Sequence, residues 1–401
     1  MNTPVTPLLR TALLLAFIFA SRAIGVCAPD ATFGDNVHSR GTLNNSRIHF
    51  EREKKGTVAF MGGSITEMNG YRPMVCDSLK KRFPGTEFKF LNAGISSTCS
   101  TTGAFRLATD VFAQGPVDLF FIEFAVNDDQ DAAHTRAECI RGLEGIIRHA
   151  RQLNPNIDIV VTYFVNEGMI KTLQSGKVPL TIEAHENVAA HYAIPTINLA
   201  KEVATQITAE KLTWKQYGGV HPAPFGNAIC ARMIDDLCNR AWAGASAAAL
   251  AAHPMPAQPL DPLSYANGRF IAPAEAQVKG GWTLGIPDWK QLAGSKRARF
   301  TSLPLLSATE PGAEATLQFE GTSVGAFIVA GPDAGIVEAT VDDGQPRLVN
   351  LFHHFSSGLH YPHTVMLGTD LKPGKHLLKI RMSAETKSSG HAMRIVQFVA
   401  N

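Results

Sequence analysis

The sequence predicts an α/β domain, a parallel sheet covered by helices on both faces, followed by an antiparallel β-sandwich. From Lys55 to Trp242 short apolar runs alternate with amphipathic stretches, the pattern of strands joined by crossover helices. Beyond Trp242 the composition shifts abruptly, and the apolar runs become short and separated by turn formers. Length agrees with two folded units, since 401 residues exceed what one hydrophobic core usually organises and 45% of them are hydrophobic.

At the N-terminus Arg10 precedes the apolar stretch Leu13 to Ala20 and then small residues, with candidate cleavage after Ala23 or Ala28. An apolar core of roughly 8–10 residues is too short to span a bilayer and fits a secretory signal. Residues 1–28 are therefore expected to direct export, making the protein secreted or periplasmic, and residues 29–54 to form an extension. Over 55–242, Val58–Met61, Phe88–Leu91, Leu119–Phe124, Ile157–Phe164 and Pro195–Leu199 read as buried strands. Helices are expected near Arg72–Phe83, Ala104–Phe112, Thr135–Leu153, Ile182–Tyr192, Lys201–Glu210 and Phe225–Ala241, the third capped by Thr135 with Glu138 three residues on. Residues 243–263, rich in alanine and proline, read as a linker. Over 264–401 the strand-like runs Ala315–Phe319, Val324–Val329, Ile336–Val341, Thr364–Leu367, His376–Met382 and Met393–Val399 predict the sandwich.

A net charge of +2, with acids and bases intermixed, lacks the footprint of a nucleic-acid or anionic-membrane binder. No segment after the signal is apolar enough to cross a membrane. Six cysteines without a CxxC pair argue against a zinc site. Cys230 and Cys238 fall on one expected helix about 12 Å apart, too far to bridge.

In an open parallel sheet, reactive groups collect at the carboxyl ends of the strands. The first strand delivers Gly62-Gly63-Ser64-Ile65-Thr66, a strand-to-helix turn that holds a hydroxyl exposed. The second delivers Asn92-Ala93-Gly94-Ile95, where glycine permits close backbone approach, and the third delivers Asn127, an uncharged amide donor. Gly219-Val220-His221-Pro222 places a loop histidine before the last helix. A hydroxyl to attack, an imidazole to take its proton and N–H donors to hold an oxyanion are what acyl transfer needs.

The four blocks resemble the SGNH hydrolases, or GDSL esterases, in which serine, glycine, asparagine and histidine stand in this order on a flavodoxin-like sheet. The resemblance covers roughly Val58 to Trp242. It implies Ser64 as nucleophile, His221 as general base, and an oxyanion hole from the N–H groups of Ser64 and Gly94 and the side-chain amide of Asn127. Two positions depart from the family. Gly63 stands where its first block carries aspartate, and Gly218 stands where the triad acid is expected three residues before the histidine. A Ser-His dyad is therefore expected, its imidazole oriented by the Gly218 carbonyl or by an acid borrowed from Asp128, Asp129 or Asp131.

The reading that follows is a serine ester hydrolase removing short acyl groups, with acetyl esters on carbohydrate as the expected substrate and small-molecule or glycan esters as the only partners. No cofactor or metal is implied. The alternatives are a non-catalytic carbohydrate-binding protein on a hydrolase scaffold, motivated by the missing aspartate, and an acyltransferase to a sugar acceptor. The second domain is expected to dock beside the Ser64 face. The histidines at 353, 354, 360 and 363 are expected in a loop packed against the first domain, and His185 and His191 on a solvated helical face.

Overall fold

The structure is a computed structural model that describes residues 33–401; the expected signal segment over 1–28, with Cys27, lies outside the described residues. Six strands make the first sheet: β1 (Val37–His38), β2 (Lys55–Gly62), β3 (Glu87–Gly94), β4 (Leu119–Glu123), β5 (Asp158–Thr162) and β6 (Thr196–Ile197). Their spatial order is β1-β6-β5-β4-β2-β3. Strands β2 to β6 are mutually parallel and, counted from β2, follow the 2-1-3-4-5 order of flavodoxin-like sheets. The fold class read from sequence is therefore the one observed, with one addition: β1 pairs antiparallel to β6 and makes the sheet mixed. Both faces of the sheet are covered, which is why β4 and β5 are buried along their whole length.

The covering helices are α1 (Asn44–Ile48), α2 (Ser64–Glu67), α3 (Tyr71–Arg82), α4 (Ser100–Asp110), α5 (Arg136–Leu153), α6 (Glu167–Gln174), α7 (Leu180–His191), α8 (Leu199–Thr208), α9 (Trp214–Tyr217) and α10 (Pro224–Ala241). Local sequence sets their ends. Thr135 and Glu138 form a reciprocal capping box at the start of α5, satisfying two N–H groups that the helix itself leaves without partners. Pro224 opens α10, where the missing N–H costs nothing.

The face of α7 differs from the expected solvated one. His191 is exposed, but His185 is buried and its Nε2 lies 2.9 Å from Asp128 Oδ2. Two histidines, His134 and His185, flank the Asp128 carboxylate, which also accepts from the Ser100 N–H and hydroxyl. Burial alone would raise this carboxyl; the two histidines outweigh it and hold the group below its ordinary value. Asp128 and His134 both sit in the stretch before α5, on a different element from α7, so helical periodicity alone gave the wrong surroundings for His185. All five described cysteines are buried and free.

Residues 243–263 carry no regular structure but are tied along the first domain. Arg148 and Arg151 donate to the carbonyls of Pro256 and Pro254, and His253 meets the buried Asp158 at 2.7 Å. Beyond them lie β7 (Arg269–Ile271), β8 (Gln277–Lys279), β9 (Thr283–Gly285), the short helix α11 (Ala298–Thr301), β10 (Leu305–Ala308), β11 (Glu314–Gly321), β12 (Val324–Ala330), β13 (Ile336–Val341), β14 (Arg347–Asn350), β15 (Tyr361–Gly368), β16 (Gly374–Met382) and β17 (Met393–Ala400). They form two antiparallel sheets, ordered β15-β12-β17-β10-β9 with β7 on β17, and β14-β13-β16-β11-β8.

Side chains alternate across a strand, and here both faces of one sheet are used. Ala326, Ile328 and Phe398 point into the sandwich core with Val337, Leu378 and Ile380. Phe327, Val329, Val396 and Val399 point the other way, into the core of the α/β domain with Phe105 and Tyr265. The second domain is thus fixed to the first through apolar burial as well as hydrogen bonds. Of the four histidines expected in a loop against the first domain, His353 meets it, its Nε2 2.7 Å from the Asp131 carbonyl oxygen, whereas His354 is exposed, His360 is buried against the Ala293 carbonyl of its own domain and His363 lies on β15.

Candidate active site

Strands β2 and β4 are neighbours at the point where strand order reverses, and their carboxyl ends deliver the first two groups to one rim. Ser64 opens the short helix α2 directly after β2, half-buried, and Asn127 follows β4. His221 arrives from the loop between α9 and α10, exposed, and its Nε2 lies 2.7 Å from Ser64 Oγ. A hydroxyl and an imidazole separated by 157 positions in the chain are within hydrogen-bond distance.

The two glycines that depart from the family pattern have steric causes. A Cβ at Gly63 would lie 2.1 Å from Asn127 Oδ1, so the bare glycine is what lets the Asn127 amide rest against the nucleophile turn. Gly218 ends α9 with φ +107°, and a Cβ there would meet the Ala223 nitrogen at 2.0 Å. A side chain of any kind is excluded at that position without moving the loop, so the triad acid has no room there.

None of the three aspartates considered as substitutes reaches His221. Asp128 is occupied by His134, His185 and Ser100; Asp129 accepts from Asn166; Asp131 accepts from Asn127 and Tyr361. Among the described residues, the Ser64 hydroxyl is the hydrogen-bond partner of His221.

The expected oxyanion donors are close by but not idle. The Gly94 N–H donates to Asn92 Oδ1 at 3.0 Å, and one Asn127 Nδ2 hydrogen goes to Asp131 Oδ2 at 2.9 Å, leaving the second. Gly94 is pressed against α2: a Cβ would lie 2.3 Å from the Glu67 nitrogen.

Two residues that sequence reasoning passed over frame this rim. Glu123, the last residue of β4, is fully buried beneath the turn, and its Oε1 accepts from the Gly63 N–H at 3.1 Å, the Thr66 N–H at 3.2 Å and the Thr66 hydroxyl at 2.7 Å. Burial pushes its carboxyl up to about 8, against the opposing pull of those three donors. Arg106, on α4 and also fully buried, donates to the carbonyls of Gly62 and Ala93, tying together the ends of β2 and β3, with Asp110 as its charge partner at 3.0 Å. The visible signal for Glu123 was a carboxylate inside an otherwise apolar strand. Arg106 had none, since its carbonyl partners are set by packing.

The second domain reaches the same rim. Arg297 donates to Ser97 Oγ at 2.7 Å, Arg299 to the Gly94 carbonyl at 3.4 Å, and Arg299 also faces Glu67 at 3.6 Å.

A sheet of this order with a serine hydroxyl and a histidine imidazole within hydrogen-bond distance at its switch point is an arrangement suited to acyl transfer. Residues 60–229 match the model of the GDSL-like lipase/acylhydrolase family, so the chain carries an esterase domain of this kind over that stretch. By structure the whole chain is similar to a two-domain esterase active on acetylated mannans, solved alone and with mannopentaose. In both cases identity is 20%, the TM-score is 0.73, and the match covers 91% of this chain and 97% of that one. An acetylxylan esterase from Geobacillus stearothermophilus matches over 45% of this chain and 94% of its own, at 19% identity and a TM-score of 0.35. No curated protein matches the sequence. Among the described residues, no helix is long and apolar enough to cross a membrane.

Proposed function

We propose that the protein is an exported serine esterase that removes acetyl groups from carbohydrate through an acyl-serine intermediate, with Ser64 as nucleophile and His221 as general base. The observation that carries the reading is the 2.7 Å approach of Ser64 Oγ to His221 Nε2. In the first step Ser64 Oγ attacks the ester carbonyl carbon while its proton passes to His221 Nε2. The carbonyl oxygen becomes an oxyanion, held by the Ser64 N–H, the free Asn127 Nδ2 hydrogen and, once Asn92 gives it up, the Gly94 N–H. Collapse expels the sugar alkoxide, which takes the proton from the imidazolium; water then attacks the acyl-serine by the same route in reverse. Without an acid at position 218 the pair works as a dyad, because the third member of a triad chiefly orients the imidazole.

The carbohydrate acetyl substrate is supported by the whole-chain likeness to an esterase active on acetylated mannans, which extends over both domains. The purified protein, offered 4-nitrophenyl acetate and acetylated glycans, is expected to release acetate from both, and a serine-directed phosphonate to label Ser64. Equal rates from the Ser64→Ala variant would overturn the assignment of the nucleophile.

A further inference from the structure

We propose that Tyr361 of the second domain is a positioning residue for the Asn127 amide, acting through the Asp131 carboxylate, so that the appended sandwich completes the site where negative charge develops. The proposal rests on the reading of Ser64 and Asn127 given above and assigns the second domain a part in it. Asp131 is buried, and its two oxygens face different domains. Oδ2 accepts from Asn127 Nδ2 at 2.9 Å, and Oδ1 accepts from the Tyr361 hydroxyl at 3.0 Å. Tyr361 shares its single hydroxyl hydrogen between Asp131 and the Ser97 carbonyl at 3.1 Å, so the same group touches the loop after β3 as well as the loop after β4. The ring is held in turn: it stacks on His353 with centroids 4.2 Å apart and planes 4° from parallel, and His353 Nε2 reaches the Asp131 carbonyl.

The chemistry of the chain of contacts gives it a direction. A carboxylate only accepts, so the end of the Asn127 amide that faces Asp131 is the nitrogen, and the oxygen lies over Gly63. Asp131 therefore decides which way the amide is flipped. With the nitrogen toward Asp131, the remaining N–H is available to an oxyanion; flipped, the amide would present an oxygen to the developing negative charge. Asp131 in turn is exchanged from water into a buried position and keeps its place through the donors that meet it, of which Tyr361 is the one from the second domain.

The test uses the full chain and 4-nitrophenyl acetate. Tyr361→Phe keeps the stacked ring and removes only the hydroxyl. The expected result is a drop in kcat of about tenfold with KM nearly unchanged, a fraction of the 10²–10³ typical of losing an oxyanion donor outright. In an Asn127→Ala background the same change is expected to cost nothing more, because the group it positions is gone. Asp131→Ala is expected to lower kcat further than Tyr361→Phe and to be equally silent in that background. An equal fractional loss in both backgrounds would mean Tyr361 acts only on general stability and would overturn the proposal, as would a Tyr361→Phe variant with parental kcat. If Asn127→Ala is strongly slowed and Ser64→Ala inactive while Tyr361→Phe is unaffected, this inference alone fails; if Ser64→Ala retains full activity, the site reading fails and takes this one with it.

Discussion

Gly218 packs directly against Ala223: the left-handed turn at Gly218 brings its α-carbon so close to the Ala223 nitrogen that a Cβ would sit 2.0 Å from it. The loop that presents His221 is built on this approach. Gly218 ends α9, the Ala223 N–H donates to the Tyr217 carbonyl at 2.9 Å, and α10 begins one residue later.

The first prediction follows from that contact. Gly218→Asp restores the family's acid in sequence but not in space. It is expected to destabilise the protein by about 3 kcal/mol or more, from the positive φ and the clash together, and to give no gain in kcat. Chemical denaturation and steady-state rates check the two halves separately. A variant as stable as the parent and faster would mean that the loop relaxes to form a triad.

Gly63 carries the second prediction. Gly63→Asp recreates the Gly-Asp-Ser form of the first block, but its Cβ competes for the position of Asn127 Oδ1. The amide must swing away, so kcat on a small acetyl ester is expected to fall on the order of 10²-fold, as for loss of an oxyanion donor. Gly63→Ala is expected to behave similarly, since the conflict is with the Cβ and not with the charge. A near-parental rate from either variant would show that Asn127 does not serve the oxyanion.

How much of this was legible in the sequence depends on where the information sits. The runs at Val58, Leu119 and Ile157 are buried on both faces and read as strands from composition alone; the run at Phe88, on the edge strand β3, is buried mainly toward its carboxyl end, and the helices between them read from their periodicity. Ser64, Gly94 and Asn127 were identifiable because they stand at or just past the carboxyl ends of such strands, and His221 because it stands in the loop just before the last helix. Strand β1, two residues long, carries no pattern of its own and exists through pairing with β6. In the second domain β7, β8 and β9 are three residues each and lie among prolines and glycines, so alternation had no room to appear. His185 was misplaced because its partner Asp128 belongs to another element, and Tyr361 could not be tied to Asn127 because the contact crosses the two domains.

Glu123 supplies a prediction that needs no substrate. Its side chain is fully buried, its Oε2 has no hydrogen-bond partner among the described residues, and around it stand Tyr71 from α3, Tyr217 from α9, Cys230 from α10 and the Asp128 carboxylate, with no cation among them. The carboxyl is raised from 4.5 to about 8 in the folded chain, burial being the cause. Below about pH 4.5 it is protonated both folded and unfolded and contributes no pH dependence. Between about 4.5 and 8 it is ionised only when the chain unfolds, so unfolding releases a proton and the stabilising difference shrinks as pH rises. Above about 8 both states are ionised and the slope ends. Glu123→Gln keeps an acceptor for Gly63 and Thr66 and cannot ionise. The stability of this variant relative to the parent is therefore expected to rise with pH across that window by a few kcal/mol, on the order of 1.4 kcal/mol for each unit of pKa shift. Denaturant titrations of both proteins at pH 5 and pH 8 measure the difference, and every other titrating group cancels in it. A constant difference between the two pH values would mean that Glu123 is ionised in the folded protein throughout, with its charge carried by the three donors on Oε1.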